Sequence, residues 1–149
     1  MLGVAIDQQS LAGVHLRAGR PREARDLLSA MADYAVSCGD PELLATTLEM
    51  CAANAAQLGE PLRAARLIGA MEAVRQKTGM PIKQPDAVEF EQYLAPARAA
   101  TAPQEWDAEL RAGRALTPAG SHAPRSTIPN TRHAPVSHRQ DSSEGMRRR

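Results

Sequence analysis

The stretch "GRPREARDLLSAM" (19–31) returns forty residues later as "GEPLRAARLIGAM" (59–71). The two copies agree at Gly19/Gly59, Pro21/Pro61, Ala24/Ala64, Leu27/Leu67, Ala30/Ala70 and Met31/Met71. Halfway between and once beyond them the same punctuation recurs, so that a Gly-x-Pro begins at Gly19, Gly39, Gly59 and Gly79. Proline is tolerated in the first turn of a helix, where its missing N–H would have no partner, and glycine is favoured just past the end, where the chain turns left-handed. Each Gly-x-Pro therefore predicts the end of one helix and the start of the next. Because the detailed match skips every second helix, the repeating unit is a helix pair, the signature of an α-solenoid.

The segments between these marks carry helical periodicity. Ala24, Leu27, Leu28, Met31 and Ala35 fall at spacings of three and four, as do Ala64, Leu67, Ile68, Met71 and Val74. Leu44, Leu48, Cys51, Ala52 and Ala55 form a stripe of smaller residues in the segment between. These are helix periods and not strand alternation. Each helix is expected to run for about 16 residues, roughly 25 Å, and the short connections force antiparallel neighbours. Composition agrees: hydrophobic residues are 43% of the 149-residue chain but aromatics only 3%, which favours Ala- and Leu-rich helices over sheets.

Past Pro81 the beat lapses. Pro85 is expected to start a helix, with Asp86 and Glu89 as a capping box and Pro96 ending or kinking it. Thr101 with Gln104 offers another cap, Pro103 fits a first turn, and "QEWDAELRAGRAL" (104–116) reads as a last helix docked through Trp106 and Leu110. The expected fold is all-α, an α–α superhelix of about three antiparallel helix pairs over 1–116. Residues 117–149 lack apolar periodicity and read as a disordered tail rich in Pro, Ser, His and Arg.

The formal net charge of +1 is unevenly spread. Residues 1–116 hold 12 Lys/Arg against 15 Asp/Glu, and 117–149 hold 6 Arg against 2 acids. An acidic body is a poor nucleic-acid footprint. Cys38 and Cys51 belong to no zinc or CxxC spacing and read as buried, reduced thiols, with Cys38 partly exposed one residue before the Gly39 stop. The start "MLGVAIDQQS" lacks the basic region of a signal peptide, and no apolar run approaches membrane-spanning length. A cytoplasmic location without a membrane partner is expected.

Catalytic constellations are not evident. His15 stands alone on an apolar face, where a packed histidine is expected, and His122, His133 and His138 lie in the tail. Cys51 has no companion base on its helix. Glu89 with Glu91, and Asp107 with Glu109, are i, i+2 pairs that point to different sides and read as solvated charges. Arg147, Arg148 and Arg149 read as a solvated terminus. Neither catalytic, cofactor-binding nor metal-binding residues are assigned, no cofactor is expected, and the protein is read as a non-enzyme.

The interior of each unit resembles a tetratricopeptide repeat. Leu11, Ala12, His15, Gly19, Ala24, Leu28 and Met31 follow that repeat's order, as do Cys51, Ala52, Ala55, Gly59, Ala64, Ile68 and Met71. His15 and Ala55 occupy its aromatic position. Residues 64–117 further resemble the C-terminal tetratricopeptide-like helical region of large bacterial ATP-dependent transcriptional regulators, of the LuxR-type or cyclase-linked kinds. The likeness rests on Ala64-Ala65-Arg66-Leu67, Gly69-Ala70, Glu72-Ala73, Arg75, Gly79, Pro81, Tyr93 and Gly113-Arg114-Ala115-Leu116-Thr117, with Trp106 slightly early. In that family ATP and DNA are bound by other domains. No GxxxxGK[ST] occurs here, so the resemblance implies no nucleotide site.

Together these readings predict a non-catalytic helical-repeat interaction module, a regulatory fragment related to such regulators. Its concave face would involve Gln8, Gln9, Glu49 and Asn54, its partner would be a protein or peptide, and self-association through unpaired end helices is expected. A stand-alone transcriptional regulator and a truncated gene remnant are the alternatives, both ahead of a small enzyme. Direct nucleic-acid binding is not expected.

Overall fold

The computed structural model describes residues 2–81 and 84–116. The expected tail, with its three histidines and terminal arginines, lies outside the described residues. Six helices span the rest: α1 Leu2–Arg17, α2 Pro21–Cys38, α3 Pro41–Gln57, α4 Pro61–Thr78, α5 Gln84–Ala99 and α6 Pro103–Ala115. The fold is an α–α superhelix of three successive helix pairs, α1/α2, α3/α4 and α5/α6, in which the third pair packs on the second, α5 against α3 and α6 against α4.

The Gly-x-Pro marks set the helix ends as expected. All four glycines turn left-handed, with φ of 66° at Gly19 and Gly39, 74° at Gly59 and 68° at Gly79. After α1, Gly19 N donates to Leu16 O and Arg20 N to His15 O, and after α3, Gly59 N and Glu60 N repeat this on Ala56 O and Ala55 O. Such pairs satisfy carbonyls that the ended helix leaves bare. Pro21, Pro41, Pro61 and Pro103 each open a helix. Asp40 adds a true cap, accepting from Glu42 N at 2.9 Å and Leu43 N at 3.2 Å.

Near α5 the expectations need correction. The helix begins at Gln84, so Asp86 lies inside its first turn and cannot be its N-cap. Pro96 does not end it; α5 runs on to Ala99. One donor is lost there, but the last turn is held by burial of Leu94 and Ala97 and by Ala100 N donating to Pro96 O. Thr101 does not cap α6. Its hydroxyl donates back to Ala97 O at 2.9 Å, and the N-cap position is Ala102, without a side-chain bond.

The core forms where the pairs stack. Leu28, Met31, Met71 and Leu94 are almost wholly buried, and the alanine-rich α3 supplies Ala45, Ala52, Ala53 and Ala55. α3 touches α1, α2, α4 and α5, so it is buried nearly all round and not along one stripe. Its small side chains let four helices approach at once. Asn54 Nδ2 donates to Pro21 O at 2.6 Å and Gln57 Nε2 to Leu16 O at 2.9 Å, tying α3 to the turn between α1 and α2.

The closest helix contact lies between α4 and α6. A methyl group on Gly69 would collide with Leu110 O, and one on Gly113 with Arg66 O, so only glycine permits this approach. Arg66–Glu109 at 2.6 Å and Arg114–Glu72 at 2.7 Å flank it. The two ion pairs rise together along both helices, Arg66 with Glu109 and Glu72 with Arg114, so α4 and α6 run in the same sense and their C-termini share one end of the molecule. Trp106 is buried as expected, beneath the Arg98 guanidinium at 5.6 Å from its ring centre.

Candidate functional site

The first helices of the three pairs, α1, α3 and α5, face a common cleft of about 860 Å³, closed at one end by the connection after α4. That volume lies within the range of small-ligand and peptide sites. Its apolar lining comes from Ile6 and Leu16 on α1, Leu43 and Met50 on α3, and Phe90 and Tyr93 on α5, with Met80 and Pro81 at the closed end. These side chains share a face because their helices follow each other in the superhelix with their second helices stacked behind them.

A nearly buried ion pair stiffens the wall. Arg75 Nη2 contacts Glu49 Oε2 at 2.7 Å, with the side chains only 15% and 11% exposed. Arg75 Nη1 also donates to Pro81 O at 3.1 Å. One guanidinium thus fastens α4 to α3 and holds the start of the α4–α5 connection against the cleft. Its Nε is buried without a hydrogen-bond partner among the described residues. Across the cleft, Arg17 lies 3.5 Å from Glu89, and Tyr93 Oη donates to the same carboxylate oxygen at 3.3 Å. Burial first, and then the neighbouring Glu89 carboxylate, push the Tyr93 phenol above its ordinary value.

Among the described residues, four carboxylates and two guanidiniums line the cleft. The pairs Glu49–Arg75 and Arg17–Glu89 account for both cations. Asp40 and Glu42, at the N-terminal end of α3, meet no cation among the described residues. The cleft is therefore an apolar floor with a negative rim at one end.

Of the four polar residues expected on the concave face, Gln9 and Glu49 line the cleft. Gln8 does not, and Asn54 is buried against Pro21 O. Residues missed from sequence include Arg75, Phe90 and Tyr93. Phe90 and Tyr93 lie three apart on α5, a signal that was available. Arg75 is separated from Glu49 by 26 positions, and no local spacing links them.

The remaining candidates are dispersed. His15 is half-buried and its Nδ1 has no partner among the described residues. Cys38 is exposed, as its place one residue before Gly39 suggests: it is the last residue of α2, where the helix runs into solvent. Glu91 pairs with Arg98 at 2.7 Å while its side chain stays 53% exposed, and Glu109 pairs with Arg66 on the surface. Among the described residues no group of three His, Cys, Asp or Glu converges as a metal set, and no helix is long and apolar enough to cross a membrane. No family model, curated protein or solved structure matches this chain.

Proposed function

We propose that the protein is a non-catalytic interaction module whose α1/α3/α5 cleft takes an extended peptide with apolar anchors and a basic residue. The observation that carries this reading is the cleft itself: an apolar floor from three successive helices, with Asp40 and Glu42 meeting no cation among the described residues at one end. Charge complementarity at such a rim selects partners and speeds encounter, while buried apolar anchors supply most of the affinity. The likeness of residues 64–117 to the helical region of ATP-dependent LuxR-type regulators supports a regulatory setting for that binding. Self-association is a second part of the proposal, supported by Val4, Leu11 and Val14, which remain 47–55% exposed on α1. Sedimentation of the full chain, unchanged by Leu11→Glu, would remove it.

The test is selection of peptides from a random library on the full chain, followed by anisotropy titrations. The expected winners carry two apolar residues and a Lys or Arg. Ser10 is exposed and lines the cleft, so Ser10→Trp fills it without disturbing the core. Affinity is expected to fall at least about tenfold in this variant, the loss of one good anchor contact. Failure to enrich any peptide, or equal binding by the Ser10→Trp chain, would sink the proposal.

A further inference from the structure

The chain carries a segment with the chemistry the cleft selects. Residues 124–136, "PRSTIPNTRHAPV", place Ile128 and Val136 among Arg125 and Arg132, within a 33-residue stretch holding 6 Arg and 2 acids. The preceding 116 residues carry the opposite imbalance, 12 Lys/Arg to 15 Asp/Glu. Pro124, Pro129 and Pro135 restrict the backbone of this segment, which lowers the entropy lost when it binds in extended form.

Topology puts this segment within reach. α6 ends at Ala115 on the end of the molecule where α4 ends, because the two helices run in the same sense. α3 is antiparallel to α4, so its N-terminus, with Asp40 and Glu42, lies at that same end. From α6 through α4 to α3 is two helix spacings, about 20 Å in all. Arg125 lies nine residues past Leu116, a reach of about 30 Å when extended.

We propose that residues 124–136 occupy the α1/α3/α5 cleft of their own chain, with Ile128 and Val136 on the apolar floor and the arginines against Asp40 and Glu42. The tail is then an internal competitor for the peptide partner. This rests on the cleft being the binding face, and it adds the regulation of that face.

Limited trypsinolysis of the full chain, read by mass spectrometry, tests it. Cleavage after Arg125 and Arg132 is expected to be about tenfold slower than in the full-chain Glu42→Lys variant, because only undocked tail is cut. The protection should not depend on protein concentration. Equal rates in the two chains would overturn the proposal, and protection that rises with concentration would assign the tail to a second copy instead. In a second arm, a labelled peptide of residues 121–140 is titrated onto the full chain carrying R125Q, I128S and R132Q. It should bind at least about tenfold more tightly than to the native chain, whose cleft is already filled. If library-selected peptides bind the cleft while the tail peptide does not, the tail proposal alone fails. If neither binds, the binding face fails with it.

Discussion

Cys51 sits half-buried in α3, and burial pushes its thiol up to about 11 against a smaller opposing pull from Arg63. Cys38, at the exposed end of α2, has no such enclosure. Alkylation at pH 8 is therefore expected to modify Cys38 readily and Cys51 roughly 100-fold more slowly, since the thiolate is the reactive form. Peptide mapping of the alkylated protein checks this, and comparable labelling of both would refute the burial argument. A thiol raised in the folded state favours the fold while it stays protonated. That contribution is complete below the ordinary thiol value and is lost as pH rises through about 11. The exposure of Cys38 was readable from its place just before Gly39; that of Cys51 was not. Cys51 lies on the expected apolar stripe, yet only the arrangement of α3 among four neighbours sets how much of it solvent reaches.

At the scale of helices, the Gly-x-Pro marks were legible because capping and chain reversal are local physics. Close approach between α4 and α6 was not, although Gly69 and Gly113 are both visible in the sequence. A glycine inside a helix is unfavourable unless something needs the space, and here the neighbouring backbone does. Gly69→Ala and Gly113→Ala are each expected to cost about 3 kcal/mol, because backbone must shift to admit the methyl group. Gly13→Ala is the contrast. Its nearest neighbour is the mobile Arg17 guanidinium at 3.5 Å, so this change should be neutral or stabilise by about 0.5–1 kcal/mol. Urea unfolding of the three variants decides it; a harmless Gly113→Ala would mean that the helices do not touch as described.

Across the whole molecule, stacking is uneven. α4 packs on α3, α5 and α6, whereas α2 packs mainly on α1 and α3. In a superhelix stabilised by neighbour contacts, the less supported pair opens first. Amide exchange in α1 and α2 is expected to run at least about tenfold faster than in α4, a difference of roughly 1.4 kcal/mol in local opening. Uniform protection would show that the three pairs unfold as one unit.

The all-helical fold, the helix ends marked by Gly-x-Pro and the pairing of the first four helices follow from the sequence, because proline, glycine and apolar spacing act over one or two turns. The cleft does not. Its floor joins Ile6, Met50 and Phe90, and its wall rests on Arg75 reaching Glu49 and Pro81. These residues are far apart along the chain, and each is an ordinary helix residue taken alone. Only the stacking of one pair on the next turns their faces toward a shared space, because the registration of helix on helix depends on side-chain volume at every contact.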